Sequence, residues 1–244
     1  EVFEKWRGTE ALLSNLEKNE QLKSVLLQET PWVRQAERET AAKRNIGMLF
    51  EEDTLQRNIK NAYGKLVTMQ NADGSWGWFP GGRRNAYMTL YITTGFGRLR
   101  HLGVPVTLTP ALSALNYLDV WIRSVYDSRE DKSANNLNHH VAFFLYGRSF
   151  FLEDREFSPR TQEAIEYFVG QAEEYWLKLD SRLSQGYLAL ALYRLGKSTT
   201  ARKIAASLKE RSVYSEELAM FWREEERSWW WYRAPIETQA DRKS

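Results

Sequence analysis

Carboxylates standing beside large aromatic rings are the first places in this chain where chemistry could be done. Asp73 lies next to Trp76 and Trp78, and Glu224-Glu225-Glu226 precede Trp229 and Trp230. Two carboxyl groups facing each other in an aromatic cleft can divide acid and base work on a glycosidic bond. Each site also has a plainer account. Asp73-Gly74 is a turn dipeptide, and three consecutive glutamates form a solvated run. Arg34, Glu37, Arg38 and Glu39 read as helical side-chain pairs rather than a site. The histidines are three, His101, His139 and His140. Neighbours on a helix point about 100° apart, so His139 and His140 cannot face one metal as an i, i+4 pair would. His101 precedes a helix-ending glycine, where a donor helps to cap carbonyls. Cysteine is absent, which removes disulfides, thiolate metal sites, a cysteine nucleophile and a cysteine-derived thioester from this stretch. No catalytic, cofactor-binding or metal-binding residue is therefore assigned, and no cofactor is expected.

An aromatic-glycine loop occurs twice. Gln70-Asn71-Ala72-Asp73-Gly74-Ser75-Trp76-Gly77-Trp78-Phe79 is the first copy, and Glu226-Arg227-Ser228-Trp229-Trp230-Trp231-Tyr232 the second. Gln70, Gly74 and Trp76 match the spacing of the "QW" signature of triterpene cyclases, where the motif ties helix ends together and performs no chemistry. The DxDD acid of those enzymes and the DDxxD magnesium motif of diphosphate-ionising cyclases are both missing. Asp127-Ser128-Arg129-Glu130-Asp131 fits neither. Protein prenyltransferases hold zinc through an Asp, a Cys and a His, which this chain cannot supply. Trp76, Trp78, Trp229, Trp230 and Trp231 are expected to serve as packing or rim residues.

The elements around these loops are helical. The 244 residues carry 43% hydrophobic and 14% aromatic side chains with few prolines and glycines, enough for one substantial all-α core. Lys+Arg 34 against Asp+Glu 32 leaves a net charge of +2, so neither nucleic acid nor an anionic membrane is an expected partner. No stretch approaches about 20 uninterrupted apolar residues, and no targeting segment is visible. The chain opens at Glu1 rather than a methionine, as a piece of a longer protein would.

Two helix types alternate. Leu55, Ile59, Ala62, Leu66 and Met69 form a one-sided stripe, as do Leu112, Leu115, Leu118, Ile122 and Val125 after Pro110. Ala164, Ile165, Phe168, Ala172, Tyr175 and Trp176 form a third such stripe, and Ala201, Ile204, Ala205 and Leu208 a fourth. Between them, Tyr87 to Leu102, Val141 to Leu152 and Tyr187 to Leu195 are apolar nearly all round and must be covered on several sides. Gly103 and Gly196 stand where a left-handed cap would end two of these segments. Ser158-Pro159 and Ser198-Thr199 supply helix-start chemistry. Another helix is expected from Thr30-Pro31 to about Phe50, and Ser128 to Asn138 reads as a surface loop. Inner helices shielded by outer ones, an all-α α/α toroid forming an incomplete ring of hairpins, satisfy this alternation. An antiparallel bundle or open solenoid would alternate similarly. Residues 1–244 are expected to be one helical domain, with 1–28 as more polar lead-in helices and 29–244 as the toroid.

Four strings together resemble bacterial alpha-2-macroglobulin-like proteins. They are Glu29-Thr30-Pro31-Trp32-Val33, the Asp73 to Gly82 loop, Tyr91-Ile92-Thr93-Thr94-Gly95-Phe96-Gly97-Arg98-Leu99, and Ala234-Pro235-Ile236-Glu237-Thr238-Gln239-Ala240. The resemblance runs over essentially the whole chain and falls on that family's thioester-domain region, an α/α toroid. It implies a non-enzymatic part of a periplasmic or cell-envelope protein that traps or inhibits proteases. The implied partners are proteases, engaged through the full-length protein, and other domains of the same chain; no membrane contact is expected of this segment. Thioester-bearing members use a CxEQ motif upstream of the matched region. This chain has no Cys, and Gln28-Glu29 lacks that context, so it cannot itself form a thioester. Two other readings stay open: an enzyme on the same toroid acting on a carbohydrate or isoprenoid, and an all-α peptide-binding repeat protein.

Overall fold

A computed structural model describes residues 13, 33–34, 37–41, 52–215 and 219–222. The second aromatic loop, the Glu224–Glu226 run, Gln28-Glu29, Thr30-Pro31 and the Ala234 to Ala240 string lie outside the described residues. The chain forms two compact units, Glu1–Thr68 and Met69–Ser244. In the first, α1 (Glu52–Met69) is the expected striped helix, with Leu55 and Ile59 exposed along it.

The second unit is built from α2 (Ala86–His101), α3 (Thr109–Asp127), α4 (His139–Arg148), α5 (Pro159–Tyr175), α6 (Arg182–Arg194) and α7 (Ser198–Glu210). The chain is all-α across its described residues, apart from a short antiparallel hairpin of β1 (Val213–Ser215) and β2 (Ala219–Phe221). Periodicity gave no hint of this hairpin, whose strands are three residues each. Trp222 Nε1 donates to the Leu208 carbonyl at 2.9 Å and ties the end of the hairpin back to α7.

The two helix types occupy different places. α2, α4 and α6 are neighbours in one row; α3 and α5 are neighbours in another, α3 against α2 and α7 against α6. The middle of the inner row explains the all-round apolar pattern, since every residue from Val141 to Arg148 is buried. The flanking members are less covered: Tyr91 and Leu99 on α2 and Tyr193 on α6 are exposed. The outer helices contribute one face each, Leu118 and Ile122 from α3, Ile165, Phe168 and Ala172 from α5, Ala201 and Ile204 from α7. Burying the leucine, isoleucine and phenylalanine side chains among them stabilises the fold by about 1.5–3 kcal/mol each relative to exposure.

Helix ends follow the expected chemistry with one exception. Gly103 and Gly196 adopt φ of 75° and 82° just beyond α2 and α6. They let the chain turn so that Val104 N and Lys197 N reach back to the Leu99 and Leu192 carbonyls at 3.0 and 2.7 Å. Ser158 caps α5, its side chain accepting from Thr161 N, with Pro159 following. The exception is α7. Ser198 is its first helical residue rather than its cap, and Lys197 in the cap position supplies no side-chain bond. The tight turn at Gly196 places Lys197 there, so the serine arrives one position late.

Candidate functional site

The Gln70 to Asn85 segment connects α1 to α2, and its polar groups are bonded to one another. Asp73 Oδ1 accepts from Ser75 N at 3.1 Å and from Ser75 Oγ at 2.6 Å. Ser75 itself is fully buried. Its hydroxyl bond, aided by its amide and by Arg84 3.5 Å away, holds the Asp73 carboxyl below its usual range. Asp73 is therefore a turn anchor kept ionised, the opposite of a general acid. Gln70 Nε2 donates to the carbonyls of Gly74 and Pro110, both at 2.8 Å. The glutamine thereby joins its own loop to the first turn of α3. No side chain fits at Gly74, because a Cβ there would meet the backbone of Ser113.

The aromatic residues of this loop divide by depth. Trp76 is 0% exposed, and its backbone is held on both sides. Its N–H donates to Thr89 Oγ1 and its carbonyl accepts from Asn85 N, both at 2.9 Å. Trp78 and Phe79 are 56% and 72% exposed on the turn beyond it. Trp76 is thus a packing residue, and Trp78 lies on the surface. The pattern of bonds is that of a staple between helix ends.

A second cluster lies on the inner row and escaped the sequence reading. Tyr146 of α4 and Tyr187 of α6 stack with ring centroids 4.7 Å apart and planes 9° from parallel. Phe143 also stacks on Tyr187, with ring centroids 5.2 Å apart. Two cations attend the stack. The Arg98 guanidinium from α2 lies 5.3 Å from the Tyr146 ring centre and 5.7 Å from that of Tyr187. Arg194 from α6 lies 3.9 Å from the Phe150 ring and donates to Ser149 Oγ at 3.1 Å. Burial lowers its affinity for a proton, since removing a cation from water disfavours the charged form. The available signal was an arginine near the end of each apolar run, but the sequence cannot say that three helices bring them together.

The histidines separate as their helical spacing requires. His139 Nδ1 meets Ser184 Oγ at 2.9 Å, with Asp180 3.9 Å from its other ring nitrogen. His140 turns its ring edge to Tyr87 at 6.1 Å. His101, at the end of α2, lies edge-on to Phe150 at 6.2 Å. Among the described residues no group of three or more histidines and carboxylates is placed to hold a metal ion. No described helix is long and apolar enough to cross a membrane.

No family model and no curated protein matches the chain. Among solved structures, it is similar to native-conformation E. coli alpha-2-macroglobulin, with 16% sequence identity over 84% of this chain and a TM-score of 0.41. The chain spans about a ninth of that protein's length, 11% of it.

Proposed function

We propose that this chain is a non-catalytic helical domain of a bacterial alpha-2-macroglobulin-like protein, part of an envelope machine that traps or inhibits proteases. The observation that carries the reading is the state of Asp73. In the one described loop where a carboxylate stands among tryptophans, the acid is consumed by Ser75 and kept ionised. Its neighbours Gln70 and Trp76 join helix ends instead of lining a reaction site. The four family-like strings support this choice of parent, and the two rows of helices are compatible with an arc of an α/α toroid. The inner row points the same way. Its ring stack is attended by Arg98 and Arg194, whereas an enzyme acting on a carbohydrate would need two carboxylates facing each other there.

In this role the segment works through the rest of its chain. It would pack against other domains of the same protein in the periplasm or cell envelope, and proteases would be met by the assembled molecule. Having no cysteine, this segment would not supply the thioester. The test is incubation of the full-length parent protein with a protease. A stable adduct of higher mass, or protection of large substrates from the protease, is the expected outcome. Absence of both overturns the trap reading, and turnover of a polysaccharide or isoprenyl diphosphate by the chain would favour the enzyme instead.

A further inference from the structure

A cavity of about 340 Å³ opens between α2, α3 and the first turn of α4. That volume lies in the range of small-molecule sites. Tyr87 and Leu90 of α2, Trp121 and Val125 of α3 and Val141 of α4 line it. Leu90 and Val141 are buried, and Trp121 is backed by Phe144, with ring centroids 5.7 Å apart. The walls are therefore apolar and packed from behind.

One ionised side chain lines this space. Arg129 follows α3, and no Asp or Glu accompanies it in the lining. Its Nε is shut off from solvent and has no hydrogen-bond partner. A guanidinium N–H enclosed without an acceptor is an unmet demand, and such groups in native folds call for an explanation. The first turns of α2 and α4 also line the cavity, at Asn85–Tyr87 and at Asn138–Val141. Asn85 and Asn138 cap them by accepting from Met88 N and Val141 N. Both helix dipoles favour negative charge at this end. His140 also lines the cavity, and burial of part of its ring holds the imidazole below its usual range, so it adds no second cation at neutral pH.

From this geometry we infer that the cavity is a binding site for a small monocarboxylate with an apolar, ring-sized body, its carboxylate held by Arg129 and its body between Tyr87 and Trp121. A planar guanidinium matches a carboxylate in a two-point fork, and one cation balances one negative charge. The apolar walls ask for a body that a bare inorganic anion lacks.

Isothermal titration calorimetry on the whole chain tests this with three probes: naphthalene-2-carboxylate, its neutral carboxamide, and 2-naphthyl phosphate. The carboxylate is expected to bind at least about tenfold more tightly than the amide, and no more weakly than the phosphate. Arg129→Gln is expected to bring the carboxylate down to the level of the amide while leaving amide binding unchanged. Val125→Trp, which fills the cavity, is expected to abolish binding of both. Equal affinity for acid and amide, preference for the phosphate, undetectable binding of all three, carboxylate binding that stays tighter than the amide's in Arg129→Gln, or carboxylate binding that survives Val125→Trp would overturn the assignment. None of these outcomes bears on protease trapping.

Discussion

Arg148 Nε lies 3.0 Å from Asp119 Oδ1, with 1% and 8% of the two side chains left to solvent. The pair fastens the outer helix α3 to the inner helix α4. Arg148 spends its remaining donors on the carbonyls of Phe151 and Arg155 at 2.9 and 2.8 Å and lays its plane over Phe157 at 4.3 Å. Removing one partner leaves an uncompensated charge in the interior. Asp119→Ala is expected to cost about 3–5 kcal/mol, read from the denaturant midpoint at constant slope. Replacing both residues by apolar ones of similar volume is expected to cost less than the single change. A double variant as damaged as the single one would show that the pair is not what the interior misses.

Gln70 makes a different kind of link, from a loop to the start of α3. Gln70→Ala strands two carbonyl acceptors, those of Gly74 and Pro110. A loss of about 1–3 kcal/mol is expected. In hydrogen exchange, amides in the Asn71–Ser75 turn are expected to lose protection before those of α5. Unchanged protection of that turn would contradict the staple.

Asp73 gives stability a sign with pH. Its carboxyl titrates below the usual range in the folded chain because Ser75 bonds the charged form. The unfolded chain then holds more protons through that window, and stability falls as pH drops from the unfolded value of about 3.9 through the folded one. Asp73→Asn is expected to flatten the acid limb of the stability curve and leave its neutral region less affected. A carboxylate resonance titrating at an ordinary value would refute this account.

Where α2 and α4 cross, Gly147 touches Thr94 and Leu90, and Gly97 faces Phe150, whose Cγ would lie 2.6 Å from an added Cβ. Gly147→Ala forces a methyl group into a packed crossing of the inner row. A loss of about 1–3 kcal/mol is expected, readable as a lowered thermal midpoint. Gly170→Ala serves as the control, since nothing lies within 4 Å of its added Cβ. Equal effects at the two positions would mean that backbone propensity, not the crossing, decides.

Much of this arrangement was legible in the residues. The run from Val141 to Leu152 announced a helix covered on every side, because no one-sided surface tolerates Phe143, Phe144, Leu145 and Tyr146 in succession. Pro110, Ser158-Pro159, Gly103 and Gly196 marked ends through local backbone chemistry, which needs no distant partner. What was hidden depended on distance along the chain. Asp119 sits on the apolar stripe of α3 between Leu118 and Ile122, and a buried acid there requires a cation. Only the packing of α3 on α4 identifies Arg148, 29 positions away, as that cation. Arg98 and Arg194 likewise gain their meaning from three helices meeting. The Val213–Phe221 hairpin was missed because strands of three residues carry too little alternation to register.

The burial of every residue from Val141 to Arg148, beside partly uncovered α2 and α6, sets an order of opening. A rod with no wet side cannot fray without parting its neighbours, so its amides exchange only when the unit melts as a whole, while those on the open sides of the flanking rods report smaller excursions. Slowly exchanging protons concentrated between Val141 and Arg148 would mark that stretch as the part of the molecule that holds the rest in register.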